Sequence, residues 1–288
     1  MIFGIIAKPN LKNFDRIKSS LTNFLKKRNS SVLIESKLSN ADYDSKIYVT
    51  RKTLVKKSDV LVVFGGDGTL LHIAEEAAIN KKPVIGINLG TLGFLTEGSI
   101  SKLNSILQEF FEDKLVPDKR QLLNARIYKK KKLVSKTNFL NDAVINKGAL
   151  AKIINLDLFV DDILVSNLRA DGIILSSPTG STAYSLSAGG PIVIPSLPLV
   201  IITPICPHTL TNRPLVISNN SNIKIRIKTK GSPVFLTFDG NSSLEIENDY
   251  DVQVSKSPLK LTLLRSTKTK YFDILKDKLM WSNNYEGE

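Results

Sequence analysis

Residues 59–78, DVLVVFGGDGTLLHIAEEAA, run from an apolar stretch through three glycines and one carboxylate into a second apolar-periodic stretch. Strand, glycine turn and helix in that order form the repeating piece of a parallel α/β sheet. The glycines of Gly65-Gly66-Asp67-Gly68-Thr69 permit close backbone approach. A helix beginning near Thr69, with Thr69 as its cap, would aim N–H groups at an anion. The turn is neither a Walker A loop, which needs Gly-Lys-Ser/Thr, nor the G-x-G-x-x-G dinucleotide fingerprint. Asp67 would repel a phosphate unless a metal intervenes or the carboxylate faces something else. A hydroxyl that receives a phosphoryl group is one such target, because an aspartate can orient it and accept its proton. The plainer alternative is an aspartate that fills a turn.

Outward from this stretch, strand-like and helix-like patterns alternate. Residues 2–7, 31–35, 59–64 and 83–88 read as strands, and 13–27, 70–79 and 102–111 as helices. Beyond residue 120 the runs shorten and become β-rich, among them 123–128, 138–145, 153–160, 172–175, 222–227, 234–238, 251–254 and 259–264. A helical pattern at 182–188 is an exception, and 271–281 spaces its apolar residues loosely as a helix. The expected fold class is α/β plus β-rich. An N-terminal α/β Rossmann-like domain (1–115) carries GGDGT, and a C-terminal mainly β, β-sandwich-like domain spans 116–263. A tail at 264–288 is expected to pack back on a neighbour, since an isolated helix of its length would be marginal.

The chain has 288 residues, enough to bury a substantial core, and its 42% hydrophobic content is that of a globular protein. Its formal charge of +13 predicts attraction to polyanions such as nucleotides or polyphosphate, with a solvated lysine-rich surface as the alternative for runs such as 129–132. A single cysteine, Cys206, excludes an internal disulfide and reads as a small buried side chain between Ile205 and Pro207. His72 and His208 show no ligand spacing, so no transition-metal site is expected. The first ten residues read as a strand rather than a secretory signal, and prolines 195, 198 and 204 break the most apolar later stretch. A cytoplasmic protein that neither enters a membrane nor binds nucleic acid is expected.

Four further segments carry a resemblance: NLGTLGFLT at 88–96, LNDAVINKG at 140–148, RADGIILSSPTGSTAYSLSAGGPIV at 169–193 and TPICPHTLTNRPLVI at 203–217. Together with FGGDGT at 64–69 they resemble NAD kinases, which phosphorylate the 2′-hydroxyl of the adenosine ribose of NAD. GGDGT alone is shared with diacylglycerol and sphingosine kinases, and loosely with phosphofructokinases; the long segment around 171–190 is specific. The resemblance implies an α/β domain, a β-rich NAD-binding domain and a tail returning to the first. It makes Asp67 the catalytic proton acceptor and sets Gly68, Thr69 and His72 beside substrate phosphates. A histidine on a helix is otherwise an ordinary surface or core residue. Phe94 would lie near adenine, or equally in a core. Asn141 and Asp142 would hydrogen-bond the ribose, whose diol suits an amide and a carboxylate; some members have glutamate at the second position. Thr179, Thr182, Ala183, Tyr184, Ser185, Leu186 and Ser187 match the segment that frames adenine and its neighbours. Arg169 and Asp171 correspond to residues near the nicotinamide half supplied across a subunit interface, which implies a homodimer or homotetramer. Asp239 and Asn241 match a further contact region there, and Lys152 is a weaker carry-over.

The implied reaction uses ATP or polyphosphate with Mg²⁺ delivered on the donor, since no dedicated metal cluster is visible in the sequence. A lipid kinase of the diacylglycerol or sphingosine type is the alternative, from which the 89–96 and 178–187 segments point away. A non-catalytic nucleic-acid-binding protein is a third reading, suggested only by the charge; the lysines are spread widely, with no RNA-binding signature.

Overall fold

A computed structural model describes residues 1–9, 11–38, 46–90, 93–148, 152–209, 211–229 and 233–281. Its contacts divide the chain into two units, Met1–Lys119 with Leu261–Glu288, and Arg120–Lys260.

In the first unit, β1 (Ile2–Ala7) leads through α1 (Phe14–Lys26) to β2 (Ser31–Glu35) and β3 (Tyr48–Val49). The chain returns through α2 (Arg51–Lys57) to β4 (Val60–Phe64), α3 (Asp67–Ile79) and β5 (Val84–Asn88). A two-residue β6 (Gly98–Ser99) beside β5 precedes α4 (Leu103–Phe111). The parallel order is β5-β4-β1-β2-β3. Strand β4, VLVVF, is buried throughout, as a parallel strand covered on both faces must be. Helix α1 buries Ile17, Leu21 and Leu25 at four-residue spacing, so its apolar stripe joins the same core as Phe3, Phe64 and Leu107. Strand order reverses between β1 and β4. In open α/β sheets the crevice beyond the strand C-termini at such a reversal is where ligands bind. Lys8 and the glycine turn lie there, with the Lys8 N–H donating to the Phe64 carbonyl at 2.9 Å.

The second unit is antiparallel. Long strand β7 (Leu115–Lys129) enters it and pairs with β8 (Lys132–Phe139), and β9 (Asp142–Lys147) follows. The sequence reading of one strand at 138–145 is corrected here: the chain turns at Leu140-Asn141 and starts a new strand in another sheet. Then come β10 (Ile154–Val160), β11 (Ile163–Ala170), β12 (Gly172–Ser176), a 3₁₀ turn (Thr179–Thr182) and the one-turn α5 (Tyr184–Ser187). Strands β13 (Leu199–Ile205), β14 (Leu215–Ser218), β15 (Ile223–Ile227), β16 (Val234–Phe238) and β17 (Ser242–Ile246) lead to β18 (Tyr250–Ser266). One sheet runs β14-β13-β12-β9-β16-β17, and β11-β10-β15-β18 forms an antiparallel ladder. Alternating residues of both ladders, among them Ile145, Leu156, Ile173, Ile225 and Leu236, enclose one core.

The last residues of β18 return to the first unit, where Leu263 pairs with Val84 of β5, and α6 (Tyr271–Leu279) buries Ile274 and Leu275. The apolar stretch around 199–205 is a sheet strand, and among the described residues no helix is long and apolar enough to cross a membrane. Cys206 is exposed rather than buried: β13 ends at Ile205 and the chain turns out of the sheet at a φ of 43°.

Gly172 of β12 pairs with Asn146 of β9 where no side chain fits. A Cβ there would stand 2.3 Å from the Ile145 carbonyl oxygen and 3.0 Å from the Asn146 Cα, both main chain and unable to yield cheaply. Gly172→Ala is expected to cost about 1–3 kcal/mol, read as a lower denaturant midpoint at unchanged m-value.

Candidate active site

Helix α3 starts three residues earlier than its sequence suggests. Gly66 is the N-cap in extended conformation, and Asp67 opens the first turn, where its charge complements the helix dipole. Thr69 is therefore not the cap. Its side chain packs on Gly65, where a Cβ would come within 2.2 Å of Thr69 Oγ1, so only glycine fits. Gly68 and His72 are exposed and lie one turn apart on the same helix face.

The Asp67 carboxylate accepts two main-chain N–H groups, from Phe94 to Oδ2 at 2.9 Å and from Leu95 to Oδ1 at 3.0 Å. Two glycine loops are thereby locked together across β4 and β5. Gly93 is obligatory at this junction, because a Cβ would sit 2.0 Å from Asp67 Oδ1. The second loop is braced from within: Thr96 Oγ1 accepts from Gly93 N at 2.9 Å and Asn88 Nδ2 at 3.1 Å, and Asn88 Oδ1 accepts from Gly90 N at 2.7 Å. Residues 91 and 92 of this motif lie outside the described residues. Phe94 is half-buried with its ring 6.3 Å from that of Tyr271 on α6, which is ordinary packing within the unit.

Beside Asp67 opens a cleft of about 380 Å³ lined by Lys8, Gly66, Asn88, Leu89, Gly90, Gly93 and Lys278. Two lysines, a carboxylate and glycine backbone surround one opening, a chemistry that suits a polyanion. Lys8, Asn88 and Lys278 were not singled out in the sequence. Lys8 directly follows a strand ending at the reversal point, a signal that was available; nothing in sequence marks Lys278, which α6 supplies from near the far end of the chain.

In the second unit the Leu140-Asn141-Asp142 corner is clamped from two sides. Asp239 Oδ1 accepts from Asn141 N at 2.7 Å and Asp142 N at 3.1 Å, and Oδ2 accepts from Leu140 N at 2.8 Å. Opposite, Ser177 N donates to the Asn141 carbonyl at 2.8 Å, Ser176 Oγ donates to the same oxygen at 3.2 Å, and Ser177 Oγ donates to the Leu140 carbonyl. Gly180 closes against Asn141, with room for no side chain. Asp239 and Gly240 turn the β16–β17 hairpin at φ values of 51° and 69°, and Asn241 beyond them is exposed. Asn141 Oδ1 is buried without a hydrogen-bond partner. Burial, reinforced by the Asp239 charge, pushes the Asp142 carboxyl up to about 7.

The remaining residues predicted from sequence divide by exposure. Tyr184 and Ser187 are exposed, with Thr182, Ala183 and Leu186 half-buried. Ser185 and Thr179 face inward instead: the Ser185 hydroxyl pairs with that of Thr203 at 2.9 Å, and Thr179 Oγ1 accepts from Arg120 at 3.4 Å. Arg169 is exposed on β11, Asp171 pairs with Lys147 at 2.9 Å, and Lys152 is exposed.

Family models for the ATP-NAD kinase N-terminal domain and the ATP-NAD kinase C-terminal domain match residues 3–115 and 140–266. The chain belongs to the NAD kinase family. It is a phosphotransferase of NAD, and nothing supports the lipid-kinase alternative. The NAD kinase of Trichlorobacter lovleyi is 41% identical over 280 residues, 96% of this chain and 98% of the relative, and that of Geobacter sulfurreducens is 38% identical over the same shares. Among solved structures, yeast NADH kinase complexed with NADH superposes with a TM-score of 0.88 at 28% identity, covering 100% of this chain and 90% of the other. An NAD kinase from Archaeoglobus fulgidus in complex with ATP gives 0.75 at 25% identity, covering 97% and 99%.

The raised Asp142 carboxyl sets a pH dependence. Its folded value lies above its ordinary 3.8, so the native state holds the proton more tightly than the unfolded chain between those values. Stability is expected to fall as pH rises from about 4 to about 7, by at most roughly 4 kcal/mol, and to level off above. Denaturant titrations across that range check the slope, which Asp142→Asn should flatten.

Proposed function

We propose that the chain transfers the terminal phosphoryl group of ATP or polyphosphate to the 2′-hydroxyl of the adenosine ribose of NAD, with Asp67 as proton acceptor. The observation that carries this reading is the Asp67 carboxylate fixed at the mouth of a lysine-flanked cleft by two N–H donors. Each carboxylate oxygen has further lone pairs, so the group still accepts from a hydroxyl while its orientation is set. The acceptor oxygen forms its bond to phosphorus as the bridging oxygen of the donor departs, and the hydroxyl proton passes to Asp67. A loose transition state lets the proton leave late, so a carboxylate is a sufficient base.

Donor phosphates fit Lys8, Lys278 and the N–H groups of Asp67 and Gly68 that open α3, the Thr69 N–H being used by the Gly66 carbonyl at 3.0 Å. Gly68, Thr69 and His72 are assigned to the same phosphates. Asn141 and Asp142 are assigned to the ribose diol; hydroxyls donating to Asp142 favour its ionised form. Thr182, Ala183, Tyr184, Leu186 and Ser187 frame the adenine region, with Phe94 as a further neighbour. Asp239, Thr179 and Ser185 are assigned support of that surface, Arg169, Asp171 and Asn241 the nicotinamide end, and Lys152 a more general substrate contact. Among the described residues no three His, Cys, Asp or Glu side chains are grouped, and Asp67 is the only carboxylate lining the cleft. That donor set fits Mg²⁺ carried mainly by the donor's own phosphates, where it would neutralise charge in transfer. A cytoplasmic setting is proposed with the reaction.

Asp67→Asn keeps the hydrogen-bond-accepting oxygen on one side and removes the base. Turnover of NAD with ATP and Mg²⁺ is expected to fall at least about a hundredfold with NAD binding intact. Near-normal turnover would remove Asp67 from this role, and lost binding would make it a positioning residue.

We further propose a homodimer or homotetramer, which the family resemblance implies through Arg169 and Asp171. Supporting it, β11 lies at the end of its ladder with Ile163, Leu164 and Val165 exposed at 70%, 49% and 47%. Sedimentation is expected to give at least a dimer, and Ile163→Lys with Leu164→Lys to shift it toward monomer.

A further inference from the structure

Arg265 stands near the end of β18, in the sequence LLRST, and is buried at 9% exposure. Its guanidinium makes three contacts within the first unit. Nε donates to Asp118 Oδ2 at 3.0 Å, Nη1 lies 3.7 Å from Glu97 Oε2, and Nη2 donates to the Phe94 carbonyl. Glu97 is itself tethered, its Oε1 accepting from Thr269 Oγ1 at 2.7 Å.

The third contact matters because of what lies at the other end of the same peptide group. The Phe94 carbonyl and the Leu95 N–H belong to one planar unit. Arg265 grips its oxygen while its N–H donates to Asp67 Oδ1 at 3.0 Å. A cation on the carbonyl draws electron density from the amide and strengthens the N–H as a donor, so the bonds on either side of the peptide reinforce each other. The guanidinium also fixes the tilt of the peptide plane, and hence the direction from which Asp67 is held. Asp118 supplies a second hydrogen bond that stops the planar fork from rotating.

We propose that Arg265 is a positioning residue for the reaction, orienting Asp67 through the Phe94–Leu95 peptide group. This rests on the reading of Asp67 as proton acceptor. It gives the returning segment a task in turnover beyond covering the first sheet. An ion pair serving only to anchor that segment would affect stability and leave Asp67 where it is.

The test is Arg265→Lys, which keeps the charge for Glu97 and Asp118 but lacks the planar fork that reaches Asp118 and Phe94 together. The expected result is a kcat lower by about ten- to a hundredfold, with KM for NAD and ATP within about twofold and the amide resonance of Leu95 displaced. Asp118→Asn, which leaves the arginine in place, is expected to move kcat and the Leu95 resonance in the same directions by less. Should Arg265→Lys fail to fold, this second variant decides. Wild-type kcat in the folded variant, an unmoved Leu95 resonance, or an effect confined to thermal midpoint or KM would overturn the proposal. Asp67→Asn measured alongside separates the two ideas. If it retains turnover, the proton-acceptor reading fails by itself; if it loses turnover while Arg265→Lys keeps it, only the role of Arg265 fails.

Discussion

The carboxylate of Asp67 accepting the N–H groups of Phe94 and Leu95 is the contact on which the arrangement of the first unit turns. It ties together two loops that leave adjacent parallel strands. Several local constraints follow from it. Gly93 has no room for a side chain beside the carboxylate, and Gly65 has none beside Thr69. Asn88 and Thr96 brace the second loop so that its amides face the carboxylate. The cleft beside Asp67 owes its floor to these glycine backbones and its charge to Lys8 and Lys278.

The second unit solves a similar problem with the same chemistry. Asp239 gathers three main-chain N–H groups from Leu140 to Asp142, and the two serines opposite donate to the carbonyls of Leu140 and Asn141. An ionised carboxylate accepts only, through two oxygens, so one side chain can organise a whole turn. The consequence differs between the units. Asp239 leaves the neighbouring Asp142 buried near a like charge, which is why that carboxyl is raised, whereas Asp67 borders an open cleft.

Much of the layout was legible as periodicity. The buried strand at Val60–Phe64, the stripe of α1 and the change of texture beyond residue 120 all follow from where apolar residues fall. Elements whose burial is partial were not legible. Helix α2 has the sequence RKTLVKK and buries only Leu54 and Val55, too few to show a period. Strand β11 lies at the end of a ladder with three consecutive exposed apolar residues, so no alternation marks it. Strand β18 reads as two pieces because Ser255, Lys256, Ser257 and Pro258 interrupt it, yet the backbone stays extended through them. The candidate site residues rest chiefly on resemblance, since GGDGT alone is compatible with several kinases.

By itself, the sequence determined the two textures, the glycine turns and the family, because each rests on local spacing or on long motifs. The tertiary structure alone decided which groups those turns meet. Asp67 is contiguous with Gly68 yet bonds to residues 94 and 95, and Arg265 and Lys278 enter the first unit from the far end of the chain. Hydrogen bonds over such separations depend on the order in which strands assemble and on where β18 returns. That order is set by the burial of whole faces, and no local window of sequence contains it.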